Sequence, residues 1–167
     1  FFIVLCTLYI FQVCEGQIIH VPADYPSIQE GINAANPGDT VLVADSLYYE
    51  NINFLGKKPL MVASHFLIDG DTNHINNTII NGSQPDDPNL GSVVIMGNEE
   101  DTTSILCGFT ITGGTGTFVE VVGNIRIGGG VNIGYGGKVI NNHIEYNILE
   151  NDQWTAGGGV WIGGPAS

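Results

Sequence analysis

Hydrophobic residues follow a helical spacing in one short segment near the start of the chain. Ile28, Ile32 and Ala35 recur every three or four residues and therefore share one face of a helix. Ser27 and Glu30 form an S-x-x-E capping box where this helix would begin. An Asn-Pro-Gly-Asp turn directly after Ala35 would end it, because proline cannot continue a helix and glycine suits the turn. The pattern predicts a short amphipathic helix.

The rest of the chain alternates short runs of strand-forming residues with Gly, Asn, Asp or Ser. Residues 17–21 and 40–44 flank the helix, and beyond it no helical periodicity competes with the strand pattern. The pattern therefore predicts a chain built mostly from short strands. The later runs are residues 60–63, 78–80, 92–96, 108–112, 131–133, 138–140, 143–146 and 160–162.

Two of these segments recur further along the chain. Residues 128–134 (GGGVNIG) return as residues 157–163 (GGGVWIG), 29 positions later, and residues 108–114 are echoed by residues 142–147. A repeat of this length indicates stacked coils, because one coil alone cannot bury its inward-facing side chains. An antiparallel sandwich or propeller would need tight hairpin turns, and Asn81-Gly82 is the only Asn-Gly pair. We therefore expect an all-β solenoid.

Three segments near the start carry a resemblance to a known superfamily. Residues 20–35 (HVPADYPSIQEGINAA), 38–44 (GDTVLVA) and 49–52 (YENI) together resemble the opening of pectin-lyase-like proteins. In that superfamily a Tyr-Pro-Ser/Thr-Ile-Gln helix caps a solenoid, and glycine-rich coils follow, as residues 108–112 and 128–131 do here. The resemblance implies a right-handed parallel β-helix with a short N-terminal capping α-helix.

The resemblance says less about activity than about fold. The superfamily includes pectinesterases, polysaccharide lyases and bacterial surface proteins without known chemistry. Pectinesterases carry two catalytic aspartates and an arginine on later coils, and we find no such constellation before Ser167. Lyases use arginine or lysine as a base, whereas Arg126, the only arginine, lies in an irregular stretch. We expect Arg126 to be a solvated coil residue.

The charge of the chain limits its partners. It has 17 acidic and 4 basic residues, a formal net charge of −13. This balance argues against nucleic acid and against anionic membrane surfaces. It also weighs against a polyuronate substrate unless Ca²⁺ bridges the two, because like charges repel. A neutral glycan avoids that objection.

The first residues indicate export. Residues 1–13 are apolar apart from Thr7 and Gln12, too short a run to span a bilayer but suited to the core of a signal peptide. We expect residues 1–16 to be an incomplete signal peptide. Residues 17–167 would then be the N-terminal part of a β-helix domain, truncated at its C-terminal end and without a membrane span. The mature protein would be secreted or displayed at the cell surface. A buried N-terminal strand or helix is the alternative.

One loop has the composition of a cation site. Asp69, Asp71 and Asn73 alternate in a D-x-D-x-N run, and such oxygen ligands suit Ca²⁺. The run does not continue as an EF-hand, because His74 replaces the glycine of the sharp turn and Ile80 the bidentate glutamate. The alternative is a polar turn whose Asp and Asn side chains bond to the backbone.

Two other features are expected to be structural. Residues 99–101 (Glu-Glu-Asp) are interpreted as a solvated loop, since charges are rarely buried unpaired. Cys107 would be the only cysteine left after signal-peptide removal, and we expect it to pack as a small hydrophobic residue.

Aromatic residues near the end of the chain are candidates for stacking on sugars. They are Trp161, Trp154 and Tyr146. Side chains alternate along a strand, so Trp161 should point away from the core if Val160 and Ile162 point into it.

These observations lead to two hypotheses for function. The first is an exported or cell-surface β-helix domain that binds a polysaccharide or cell-surface glycan, or serves as an adhesive scaffold. The second is the N-terminal portion of a polysaccharide-active enzyme, a lyase, an esterase or a glycoside hydrolase, whose catalytic residues lie beyond Ser167.

Overall fold

The computed structural model describes residues 15–120, 125–149 and 154–163. The predicted signal peptide lies outside these ranges apart from Glu15 and Gly16. No helix within the ranges is long and apolar enough to cross a bilayer.

The helices are α1 (Ile28–Ala34), α2 (Phe66–Asp69) and α3 (Asn73–Asn77). The strands are β1 (Ile18–Val21), β2 (Thr40–Val43), β3 (Ser46–Tyr48), β4 (Ile52–Asn53), β5 (Met61–Ser64), β6 (Thr78–Asn81), β7 (Leu90–Gly91), β8 (Val94–Met96), β9 (Ile105–Cys107), β10 (Thr110–Thr112), β11 (Gly116–Val119), β12 (Ile125–Ile127), β13 (Val131–Ile133), β14 (Lys138–Ile140), β15 (His143–Ile144), β16 (Trp154–Ala156) and β17 (Val160–Ile162).

Helix α1 begins where the sequence predicts. The Ser27 side chain accepts a hydrogen bond from the Glu30 backbone N–H at 3.2 Å, which satisfies one of the free donors of the first turn. Ile28 and Ile32 are fully buried, so the predicted apolar face is the one that packs on the strands. The helix ends at Ala34 and Ala35 is its extended C-cap.

The strands form four sheets in which most neighbours are parallel. Sheet 1 has the order β1-β2-β5-β9-β14, and sheet 2 the order β15-β10-β6-β3. Sheet 3 has the order β17-β13-β8-β4, and sheet 4 the order β16-β12-β11-β7. From β2 onward the chain passes from sheet 1 to sheet 2 and then to sheet 3 before it returns to sheet 1. From β7 onward it also visits sheet 4 between sheets 2 and 3.

The sequence repeats predict which strands pair. Val131 of β13 lies opposite Val160 of β17, as the 29-residue repeat requires. Ile111 of β10 lies opposite Ile144 of β15, which joins the second pair of similar segments. Repeated residues therefore stack in register across neighbouring passes of the chain.

The core is a set of columns of apolar side chains that run through successive parallel strands. In sheet 1, Val41, Val62 and Leu106 lie opposite one another and are fully buried. Phe54 and Phe109 are the largest fully buried side chains. Each such residue stabilises the fold by roughly 1.5–3 kcal/mol through removal of apolar surface from water.

Helices α2 and α3 were not predicted from the sequence. They occupy residues 66–77, where the sequence pattern indicates turns between strands. Each has one turn or little more, which is too short to produce a helical periodicity. The described chain is thus mostly strand, with parallel sheets and three short helices.

Sheet 4 contains an antiparallel hairpin that the sequence pattern does not predict. Strand β11 is antiparallel to both β7 and β12. Arg126 lies in β12 rather than in an irregular, solvated stretch. Its guanidinium donates hydrogen bonds to the carbonyls of Pro88 (2.9 Å) and Gly116 (3.0 Å) and lies over the Phe118 ring. The arginine therefore fastens the hairpin to the segment before β7.

The expectation of a solvated acidic loop at residues 99–101 is wrong for Glu100. Its side chain is only 2 % exposed. Its carboxylate accepts hydrogen bonds from the backbone N–H groups of Gly56 (2.8 Å) and Asn98 (2.7 Å). Burial is tolerated because two backbone donors, one from the preceding pass of the chain, replace water around the charge.

Candidate functional site

The candidate site is a groove of about 390 Å³ on the outside of the molecule beside the start of α1. We call it the flank groove. Four segments line it, namely residues 27–29, residues 49–53, residues 84–90 and Ile95. They come from the start of α1, the link from β3 into β4, the segment leading into β7, and β8. The groove therefore depends on the stacking of successive passes of the chain.

The floor of the flank groove is held by a side-chain amide. Gln29 Oε1 accepts a hydrogen bond from the Asn53 backbone N–H at 2.7 Å. Gln29 Nε2 donates to the Asn53 carbonyl at 3.1 Å. Through these two bonds the Gln29 side chain in α1 pairs with the backbone of Asn53 in β4. The cap helix and the first strand of sheet 3 are thereby fixed relative to each other.

Glu50 fastens the other side of α1. Its two carboxylate oxygens accept hydrogen bonds from the backbone N–H groups of Ile28 and Gln29, both at 2.9 Å. These donors have no partner within the helix, so Glu50 caps the first turn together with Ser27. Glu50 thus has a structural role, although its carboxylate also contributes charge to the groove.

The segment before β7 forms the acidic wall. Asp87 Oδ1 accepts a hydrogen bond from the Asn89 backbone N–H at 2.9 Å, and the Asp87 carbonyl accepts one from Leu90 at 2.8 Å. These bonds shape a turn that presents Asp86 to the groove. The side chains of Asp86 and Gln84 have no hydrogen bond to any other residue that the structure describes.

An aromatic ring completes the site. Tyr49 is 54 % exposed at the edge of the flank groove. Its hydroxyl has no hydrogen-bond partner within the described part of the chain. An exposed ring beside unused amide and carboxylate groups can combine apolar contact with hydrogen bonding.

The predicted aromatic residues lie elsewhere. Trp161 stands in β17 opposite Asn132, which in turn lies opposite Ile95 of the groove. Trp161 therefore shares a column with Asn132 and Ile95, and its flanking residues Val160 and Ile162 are themselves exposed. Two strand spacings, or about 10 Å, separate Trp161 from Ile95, and buried Asn132 lies between them.

The other two aromatic candidates are not brought together with Trp161. Tyr146 follows β15 of sheet 2 and is 77 % exposed. Trp154 is in β16 of sheet 4, opposite Ile125, and its side chain lies outside the described part of the structure. The three residues thus lie in or next to three different sheets. Carbohydrate binding by these residues stays a prediction.

The proposed calcium ligands form local turns. Asp69 Oδ1 accepts a hydrogen bond from the Asp71 backbone N–H, and Asp71 Oδ1 accepts one from Asn73, both at 2.9 Å. Within the described ranges, no group of three or more His, Cys, Asp and Glu side chains is placed to hold a metal ion. The geometry gives these residues a backbone role, and Ca²⁺ binding by Asp69, Asp71 and Asn73 stays a prediction.

His74 forms a cluster that the sequence gave no reason to expect. Its Nδ1 lies 2.6 Å from Asp45 Oδ1, and its Nε2 lies 3.3 Å from Asp69 Oδ2. We call these three residues the His74 clasp. The hydrogen bond that His74 donates to Asp45, with the charges of Asp45 and Asp69, raises the pKa of His74 above the ordinary value. Burial would raise the pKa of Asp45, but hydrogen bonds, chiefly with His74, outweigh it and lower that pKa.

A second groove, of about 410 Å³, lies between the α2–α3 segment and residues 141–143. The Asn142 amide in its wall is already used. It accepts a hydrogen bond from Phe109 N–H and donates to the carbonyls of Leu106 and Ile140. This groove offers fewer unused polar groups than the flank groove, which is the better candidate for a ligand.

Cys107 is buried, as the sequence predicts. Burial raises the pKa of its thiol, which disfavours the reactive thiolate at neutral pH. It packs as a small apolar residue.

Comparison with known proteins adds no family to these observations. The chain matches no protein-family model, no curated protein and no solved structure.

Proposed function

We propose that the chain is part of an exported right-handed parallel β-helix domain that binds carbohydrate in its flank groove. The order in which the chain visits its sheets supports the fold. Each parallel pair joins strands from successive passes, as with Val41, Val62 and Leu106, which are 21 and 44 residues apart along the chain. Such long-range parallel pairing between short strands is what stacked coils produce.

One observation carries the proposal for function. The flank groove places the exposed Tyr49 ring beside the side chains of Gln84 and Asp86, which have no other partner among the described residues. A sugar has an apolar face that packs on an aromatic ring and hydroxyl groups around its edge. Hydroxyls both donate and accept hydrogen bonds, so amides and carboxylates can bind them.

The shape of the groove also favours a chain of sugars over a compact metabolite. Its lining spans β4 and β8, neighbouring strands of sheet 3, and it lies open along the flank. This arrangement suits a linear oligosaccharide.

Substitution of Tyr49 tests the proposed function. We expect Tyr49→Ala to weaken binding of a linear neutral hexasaccharide about tenfold or more, because the ring supplies the apolar contact surface. Titration calorimetry with cellohexaose, xylohexaose and mannohexaose would measure the loss, using whichever sugar binds the unmodified chain.

Two other tyrosines serve as controls. Tyr135 is 56 % exposed in the turn between β13 and β14, outside the groove, so Tyr135→Ala should bind like the unmodified chain. A loss of binding in Tyr146→Ala with none in Tyr49→Ala would move the site to the aromatic residues predicted from the sequence. If no hexasaccharide binds, neutral or charged, the proposed function is wrong.

A further inference from the structure

We propose that the flank groove selects glycans that carry free, protonated amino groups. This inference rests on the proposed function and adds the chemical class of the ligand. It follows from the charges that line the groove. Glu50, Asp86 and Asp87 contribute carboxylates, and no lysine, arginine or histidine is among the lining residues.

Three of the four lysine and arginine residues have contacts outside the groove, and the fourth, Lys138 in β14, is not among its lining residues. Lys57 Nζ donates hydrogen bonds to the carbonyls of Asn33 and Ala35, at 2.8 and 2.6 Å. Lys58 Nζ donates to the Glu99 carbonyl at 2.7 Å. Arg126, the only arginine of the chain, donates to the carbonyls of Pro88 and Gly116 and lies over the Phe118 ring. The groove therefore keeps its negative charge.

The three carboxylates differ in what they can offer a ligand. Both oxygens of Glu50 are occupied by the N–H groups of α1. Asp87 uses Oδ1 for its turn and keeps Oδ2 available. Asp86 has neither a hydrogen bond nor an ion pair with any described residue. Asp86 and Asp87 are thus the groups able to receive an ammonium ion.

This arrangement of carboxylates should distinguish ligands by their charge. A protonated amino group in the groove would form charge-assisted hydrogen bonds, which are stronger than those of a neutral hydroxyl. A uronate would meet three like charges in the groove and a net charge of −13 on the chain. An N-acetylated amino sugar has the same ring but no positive charge, and it provides the matched comparison.

The experiment compares two hexasaccharides with one backbone. Fully deacetylated chitohexaose and fully N-acetylated chitohexaose would be titrated into the whole chain at about pH 5.5, above the ordinary carboxyl range. We expect the deacetylated sugar to bind about tenfold more tightly. The advantage should shrink as salt is added, because screening weakens charge pairs near a surface.

Two matched double variants test whether the tighter binding of the deacetylated sugar depends on the carboxylates of the groove. D86N/D87N retains the size of both side chains and an oxygen for the Asn89 bond, and should remove the advantage of the deacetylated sugar. D24N/E99Q removes two exposed carboxylates outside the groove and should preserve it.

The outcomes separate the two proposals. Equal binding of the two hexasaccharides would overturn selection by charge and leave carbohydrate binding in place. An advantage that survives in D86N/D87N would also overturn it, since net charge alone would then attract the sugar. If neither chitohexaose nor any neutral hexasaccharide binds, both proposals fall.

Discussion

His74 holds the α2–α3 segment against the turn between β2 and β3 through carboxylates on both sides of its ring. Asp45 belongs to that turn, and Asp69 ends α2. Thr78 also donates to Asp45, and the ring of His65 lies edge-on to His74 at 5.6 Å. A protonated imidazole can donate to both carboxylates at once, whereas a neutral imidazole can donate to only one.

The His74 clasp should make stability depend on pH. Folding raises the pKa of His74, so its contribution is complete below the unfolded value of about 6.5 and is lost as pH rises through the folded pKa. Folding lowers the pKa of Asp45, so its contribution is present above the ordinary carboxyl pKa and is lost as pH falls through the folded value. The clasp is therefore strongest at mildly acidic pH.

Thermal unfolding across that range measures the effect. We expect the melting temperature of the unmodified chain to fall relative to that of His74→Ala as pH rises above about 6.5. His20→Ala removes an exposed imidazole outside the clasp and should follow the unmodified chain. An unchanged pH dependence in His74→Ala would exclude the clasp as its source.

At the residue scale, the sequence repeat predicts more than charge does. The repeat is enough to place Val160 opposite Val131, because residues at equivalent repeat positions lie in one column when the strands stack in register. Burial of Glu100 could not be predicted. It depends on the backbone N–H of Gly56, a residue 44 positions away, and nothing in the local sequence records that contact.

Glycines between strands allow neighbouring passes of the chain to approach closely. The backbone N–H of Gly129 donates to Gly157 at 3.1 Å, and that of Gly130 donates to Gly158 at 3.0 Å. A Cβ added at Gly129 would lie 2.4 Å from the Gly158 carbonyl oxygen. Glycine is thus needed in these segments because a side chain would not fit where one segment stacks directly on the next.

Paired alanine substitutions test this stacking. Gly129→Ala should lower the free energy of unfolding by roughly 1–3 kcal/mol, because the backbone must move to accept the methyl group. Gly158 holds the same position in the next repeat, where a Cβ would lie 3.4 Å from the nearest atom, so Gly158→Ala should cost less. Urea unfolding of both variants gives the comparison, and equal losses would contradict close stacking as the reason for the glycines.

At the element scale, the sequence predicts the helices and strands that repeat or that carry a capping motif. Helix α1 begins at its predicted cap, and β13 pairs with β17 as the repeat predicts. The α2–α3 segment and the β11–β12 hairpin were missed because neither repeats. Four segments distant in sequence line the flank groove, so only the stacking of the chain reveals it.

At the scale of the whole molecule, the apolar interior, the helix α1 and the flank groove have different roles. Parallel columns of apolar residues form the interior, and the cap helix is fixed to the first strands by Glu50 and Gln29. The same contacts build the flank groove, so α1 both packs on the first strands and forms one wall of the proposed site. The net charge of −13 adds an electrostatic preference to this shape.

The flank groove is the proposed binding surface for a glycan. Backbone amide shifts of the isotope-labelled chain, recorded by NMR during titration with deacetylated chitohexaose, locate the contact directly. We predict that the largest shift changes cluster at residues 27–29, 49–53 and 84–90. Changes concentrated at residues 141–163 instead, or spread evenly over the acidic surface, would contradict the account.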